Sequence, residues 1–180
     1  MNDSLTTIAR ALRDARRIGL ACHVRPDGDA IGSLVALAHS LKLAGRQVHA
    51  LSEDRVPGNL AFLPDVGIVE SSPDHPLEVD VAVALDTATK DRLGERTNRA
   101  LSAAPLLINV DHHPTNPRYG HLNHIDTTSP ATGQIVYELL TQEGFPVDGI
   151  VRQHLFAAIS TRARSSSAAP RRARIASSRR

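Results

Sequence analysis

A chain of 180 residues with 41% hydrophobic and 22% charged residues suffices for one domain that buries roughly 70% of its unfolded surface, and is too short for a second of full size. No apolar run approaches the ~20 residues of a membrane helix, the N-terminus lacks the layout of a signal peptide, and the single cysteine, Cys22, excludes an internal disulfide, so a cytoplasmic protein with no membrane partner is expected. The formal charge of +2 misleads, because residues 162–180 hold seven arginines and no acid and the remainder is net acidic; the few aromatics are scattered and offer no stacking platform for single strands.

In chain order, Asp3 or Ser4 can cap a first helix with apolar positions Leu5, Ile8, Ala11, Leu12 and Ala15 at helical spacing. Residues 18–23 form a short apolar run suited to a buried strand, and Cys22 within it reads as a small core residue. A polar loop over 23–29 leads into a helical pattern through Ile31, Leu34, Val35, Leu37, Ala38, Leu41 and Leu43, closed by Gly45 in a left-handed cap position. Residues 46–51 read as the next strand and 57–63 as a short helix or turn before 66–69, and Pro73 and Pro76 mark a loop. Residues 79–85 form a near-continuous apolar run of the kind covered on both faces in a parallel sheet, ending at Asp86. Residues 87–103 are polar and helix-compatible, and 106–110 is another buried strand, delivering Asp111, His112 and His113. After a turn at 114–117, residues 119–126 read as extended, Ser129 and Pro130 open a helix through Leu140, and 147–161 reads as a further helix. Strands alternating with helices predict an α/β fold, a doubly wound and mostly parallel sheet with helices on both faces.

The loop after the first strand carries His23, Asp27 and Asp29 within seven residues, between an apolar run and a helix, where open α/β sheets place their chemistry. Asp27 and Asp29 alternate around Gly28, which lets two carboxylates turn toward one point, and a cation belongs there. This stretch, His23-Val24-Arg25-Pro26-Asp27-Gly28-Asp29-Ala30-Ile31-Gly32-Ser33, together with the lone Asp86 after a strand and Asp111-His112-His113 after another, resembles the first three motifs of the DHH phosphoesterases. Within them it is most similar to the branch that contains oligoribonuclease and 3′-phosphoadenosine 5′-phosphate (PAP) phosphatase, related to the RecJ exonuclease. The resemblance spans residues 1–161, which it marks as a DHH catalytic domain.

The resemblance implies a metal-dependent hydrolase of phosphodiester or phosphomonoester bonds, acting on short single-stranded RNA or PAP. Carried over motif by motif, His23, Asp27 and Asp86 hold one metal ion, and Asp29, Asp86 and His112 the other, with Asp86 as the bridge. Two Mn²⁺ ions are expected, with Mg²⁺ as the alternative, because carboxylates and imidazoles suit these cations and the lone Cys22 excludes a thiolate zinc site. His113 is expected to face the substrate and donate to a phosphoryl or leaving oxygen, and Asp111 to orient the histidines from behind. Ser33 and the first turn of its helix could also meet phosphate. His39, His49, His75, His121, His124 and His154 read as structural or exposed, Arg25, Lys90, Arg92 and Arg118 as solvated surface, and Asn123 and Thr132 carry no assignment.

The resemblance stops within one residue of Thr161. A fourth motif, Asp-Thr-Gly-Ser-Phe, whose Asp is a metal ligand, should follow, and Arg162-Ala163-Arg164-Ser165-Ser166 stands there instead. Read one base out of register, a GC-rich coding of the family's continuation can yield residues 163–173. Residues 162–180 are therefore expected to be a disordered basic tail produced by a frameshift, the alternative being an evolved tail that attracts phosphates. With the fourth ligand and the C-terminal substrate-binding domain absent, very low activity is expected. Two rivals stand beside the enzyme: a non-catalytic metal- or nucleotide-binding fragment, and a hydrolase like inorganic pyrophosphatase, against which Gly28 and Gly32-Ser33 argue.

Overall fold

Short apolar runs separated by helical stretches resolve, in a computed structural model, into six strands and five helices; the structure describes residues 2–166, with side chains as far as Thr161. The strands are β1 (Arg17–Ala21), β2 (Gln47–Ser52), β3 (Val69–Ser71), β4 (Val81–Leu85), β5 (Leu107–Asp111) and β6 (Leu122–Ile125). The helices are α1 (Leu5–Asp14), α2 (Gly28–Leu43), α3 (Glu95–Ala100), α4 (Thr132–Gln142) and α5 (Gly149–Ser166). Strand order is β3-β2-β1-β4-β5-β6, and every neighbouring pair is parallel. The order reverses between β1 and β4, so a crevice opens above the ends of these two strands.

Side-chain alternation makes the two faces of the sheet unequal. Val81, Val83 and Leu85 of β4 point with Ile18 and Leu20 of β1 into the main core, which α1, α2, α4 and α5 cover. Ala82 and Ala84 point the other way, into a small cluster with Leu51, Leu93, Ala100 and Leu101. Each fully buried leucine or isoleucine of the main core contributes about 1.5–3 kcal/mol. Nearly every residue of α2 is buried, because it packs on β1, β2 and β4 and is itself covered by α4 and α5. Close approach of α5 depends on Gly32: a Cβ there would lie 2.6 Å from the His154 carbonyl oxygen. Gly45, at φ 81°, ends α2 in the left-handed cap that its position predicts.

Several expected boundaries move. Residues 87–103 are not one helix: Gly94 at φ 88° separates a 3₁₀ turn (Lys90–Leu93) from the short α3. Helix α4 starts at Thr132 and not at Ser129, whose side chain is engaged by Asp126. Ser4, not Asp3, caps α1, because Asp3 accepts from the Asn123 backbone. Helix α5 continues to Ser166, so the first five residues of the tail expected over 162–180 are helical; the rest of that tail, residues 167–180, lies outside the described residues. No helix among the described residues is long and apolar enough to cross a membrane.

Candidate active site

Three strand ends bring the expected residues together. His23 follows β1 and Asp86 follows β4, while Asp111 ends β5 and His112 and His113 follow it; Asp27 and Asp29 come in at the start of α2. Asp27 is the N-cap of α2, its Oδ1 accepting from the N–H groups of Asp29 (3.0 Å) and Ala30 (3.1 Å).

Asp86 is central. It is 2% exposed and has φ 53°, a left-handed backbone that aspartate tolerates better than most residues. Its Oδ2 lies 3.5 Å from His23 Nε2 and its Oδ1 3.6 Å from His112 Nε2, so the two oxygens face two histidines. His23 Nε2 is also 3.9 Å from Asp27 Oδ1, and His112 Nε2 is 3.8 Å from Asp29 Oδ2.

The opposite ring nitrogens fix the tautomers. His23 Nδ1 lies 2.8 Å from the Val24 carbonyl oxygen and His112 Nδ1 3.1 Å from that of Ser129. A carbonyl only accepts, so each Nδ1 carries the hydrogen and each Nε2 presents a lone pair toward Asp86. The Arg92 guanidinium, 3.2 Å from His23 Nδ1, is then a neighbour and not a donor, since Nδ1 has no lone pair left for it. The N···O separations of 3.5–3.9 Å exceed a hydrogen bond. The 3.5 and 3.6 Å pairs suit two donors on one cation, because ligands bound at about 2.0–2.2 Å stand ~3–3.6 Å apart, and the 3.8 and 3.9 Å pairs lie just beyond that span.

The electrostatics point the same way. Burial pushes the Asp29 carboxyl up to about 7, the charge of Asp86 adds to this, and N–H donors from Gly133 and Thr132 oppose it. Burial would raise Asp86 as well, yet the neighbouring imidazoles, His23 foremost and then His113 and His112, hold it below the ordinary carboxylate range. Burial works against protonation of His23, but Asp86 and the Val24 carbonyl bring its pKa above the usual value. Among the described residues, only histidines come within ion-pair distance of Asp27, Asp29 and Asp86. Three carboxylates paired, among the described residues, with histidines alone form an environment that a divalent cation would neutralise. Among the described residues, two groups of three stand close enough to share one cation, His23 with Asp27 and Asp86, and Asp86 with His112 and His113; Asp29, expected on the second cation, lies 3.8 Å from His112 but falls outside both groups.

His113 departs from the pattern of the other two. Its Nδ1 lies 2.7 Å from Asp111 Oδ1, and its ring meets that of His112 edge-on with centroids 4.6 Å apart. Asp111 is fully buried. Ser33 is buried too, and its hydroxyl donates to Asp29 Oδ1 at 3.2 Å. Arg25, Lys90, Arg92 and Arg118 are exposed, as expected of solvated surface. Where a fourth acidic ligand was looked for, Arg162 stands on α5, and its side chain lies outside the described residues.

Residues 17–159 match the DHH family, N-terminal domain. The chain belongs to the DHH family. It is 38% identical over 127 residues to the bifunctional oligoribonuclease and PAP phosphatase NrnA of Thermus thermophilus, a match covering 68% of this chain and 36% of that protein. With the protein of the same name from Bacillus subtilis the identity is 30% over 134 residues, covering 74% of this chain and 41% of that one. The chain thus spans well under half the length of these curated relatives. In fold it resembles an exopolyphosphatase-related protein from Bacteroides fragilis, at a TM-score of 0.83 and 21% identity, covering 91% of this chain and 51% of that one.

In this DHH domain, sequence reasoning missed the groups that hold the site residues in place. Asn116 donates from Nδ2 to Asp111 Oδ2 (2.7 Å) and Asn109 Oδ1 (2.8 Å), and Asn109 in turn donates to the Ala84 and Thr87 carbonyls. Thr132 reaches both Asp29 and Asp86. The carbonyls of Val24 and Ser129 leave no trace in residue identity. The asparagines did carry a signal, since Asn109 interrupts an apolar strand and Asn116 lies three residues after the histidine pair.

Proposed function

We propose that this chain carries the catalytic centre of a two-metal phosphoesterase that hydrolyses short single-stranded RNA or PAP. The observation that carries the reading is the placement of His23 Nε2 and His112 Nε2 on opposite oxygens of Asp86, with both Nδ1 atoms tied back to carbonyls. His23, Asp27 and Asp86 would hold one cation, and Asp29, Asp86 and His112 the other. The carboxylate–imidazole donor set suits Mn²⁺, with Mg²⁺ the second fit. Cys22 offers no thiolate, since burial pushes its pKa up to about 12.

When bound, such a pair of cations supplies a water of lowered pKa and relieves charge on the phosphoryl oxygens. The protein's own residues do the rest. Asp111 holds His113 by Nδ1 and so aims the ring, and His113 donates a proton to a phosphoryl or leaving oxygen. Asp27 and the first turn of α2 keep the β1 loop closed around the site. The substrate class follows the two relatives named oligoribonuclease and PAP phosphatase, and its turnover would take place in the cytoplasm. Asp29, Asp86 and His112 would support the second cation, and arginine in place of a fourth-motif aspartate stands at position 162, so turnover should be very low.

Mn²⁺ titration followed by hydrolysis of a short oligoribonucleotide and of PAP tests the reading, with Asp86→Ala and Arg162→Asp alongside. Slow Mn²⁺-dependent release of mononucleotide or phosphate, abolished in Asp86→Ala and raised in Arg162→Asp, is the expected result. Hydrolysis of pyrophosphate in place of these substrates would make the protein pyrophosphatase-like. Mn²⁺ binding with no hydrolysis of any of the three would make it a metal-binding fragment.

A further inference from the structure

Something must keep the Asp86 carboxylate turned so that one oxygen faces each histidine. The terminal torsion of an aspartate is soft, and the left-handed backbone of Asp86 places its Cβ without setting the carboxylate plane. The constraint comes from another element. Thr132, the first residue of α4, is fully buried, and its Oγ1 donates to Asp86 Oδ1 at 3.0 Å.

The hydroxyl is available because the capping work is done elsewhere. The residue at the N-cap of α4 is Ala131, which has no side-chain oxygen. Asp29 takes its place from α2, accepting from the N–H groups of Thr132 at Oδ2 (2.9 Å) and Gly133 at Oδ1 (2.9 Å). The helix end comes this close because of Gly133, where a Cβ would lie 2.5 Å from that of Ala158. One residue thus touches two carboxylates from two other elements, donating its backbone hydrogen to one and its side-chain hydrogen to the other.

We propose that Thr132 is a positioning residue for divalent-cation binding, its hydroxyl locking Asp86 in the bridging orientation. The proposal rests on the metal-site reading given above. A methyl group in place of the hydroxyl leaves the fold and every ligand present but frees the carboxylate to rotate. Lost contacts of this kind, one shell removed from the cation, typically cost about 10–100-fold in metal affinity.

The test is Mn²⁺ titration, by calorimetry and by the electron paramagnetic resonance signal of free Mn²⁺, of the unaltered chain, Thr132→Val and Thr132→Ser, with thermal melts in the absence of metal. Thr132→Val should bind Mn²⁺ about 10–100-fold more weakly, and Thr132→Ser, which keeps the hydroxyl, should recover most of the loss. Should Thr132→Val not fold, Thr132→Ala set against Thr132→Ser decides in the same terms. Equal Mn²⁺ affinity with and without the hydroxyl overturns this role and leaves the metal site standing. Equal weakening in the serine and valine variants also overturns it, since the hydroxyl would then be irrelevant. No Mn²⁺ binding by the unaltered chain overturns both readings together.

Discussion

His113 Nδ1 and Asp111 Oδ1 lie 2.7 Å apart, and the other oxygen of the same buried carboxylate accepts from Asn116 at 2.7 Å. Asp111 is therefore gripped from both sides, and the loop holding Asn116 is fastened to the strand end that delivers the two histidines. Replacing Asn116 with alanine leaves one oxygen of a buried carboxylate without its donor. A loss of about 1.5–3 kcal/mol in urea unfolding is expected, the usual worth of a hydrogen bond to a charged group. Mn²⁺ affinity should change little in the same variant, since the Asn116 side chain reaches Asp111, Asn109 and the Thr87 carbonyl and no side chain of either candidate cation group.

Metal binding and folding should be linked. A cation that binds only the folded chain stabilises it by about 2.7 kcal/mol at a hundredfold excess over Kd. Mn²⁺ should accordingly raise the melting temperature of the unaltered chain, and a chelator should reverse the rise. In Asp86→Ala the shift should vanish, because Asp86 belongs to both groups that could hold a cation. A persistent shift in that variant would place the cation elsewhere.

Gly32 is expected to tolerate no side chain. Its missing Cβ would stand 2.6 Å from the His154 backbone oxygen and 2.8 Å from the Ala158 Cβ. Neither is the end of a flexible side chain, so α5 must move away from α2. Gly32→Ala should cost about 1–3 kcal/mol, the usual penalty of overpacking, in denaturant unfolding.

His154 should make stability depend on pH in the mildly acidic range. It is fully buried on α5 and its Nε2 lies 2.5 Å from the Pro64 carbonyl oxygen. Burial holds its pKa below the usual value, with His39 pushing the same way and the Pro64 carbonyl and Asp65 opposing. Since the folded value is the lower one, the contribution of the neutral ring is complete above the unfolded pKa of about 6.5 and fades as pH falls through the folded pKa. The stability gap between the unaltered chain and His154→Leu should therefore shrink between pH 7.5 and 5. A gap that holds constant or widens on acidification would contradict this.

Much of the centre was legible in the residues, for a physical reason. His23, Asp27, Asp29, Asp86 and His112 stand at the junctions of apolar runs with loops or helices, and a parallel sheet delivers all such junctions to one rim. What escaped was either backbone or distant in sequence. Tautomers set by the carbonyls of Val24 and Ser129 have no residue signature. Thr132 stands 46 residues from Asp86 and carries no assignment until α4 is placed in space. The division of residues 87–103 was missed because a glycine within a polar stretch does not declare its φ, and Gly94 takes a positive one that ends the 3₁₀ turn before α3. Asp29 was read for charge alone, whereas the structure also employs it as the missing cap of α4.

That second employment bears on how such a protein would age. Asp27 and Asp29 each cap the start of a helix, so a descendant in which the proposed hydrolysis was abandoned would still be selected to retain both for folding. Among the described residues, the Nδ1 atoms of His23 and His112 are held by the loop carbonyls of Val24 and Ser129 and cap no helix. Across a lineage, the persistence of those two imidazoles, and not of the acids beside them, would report whether the chemistry is still in use.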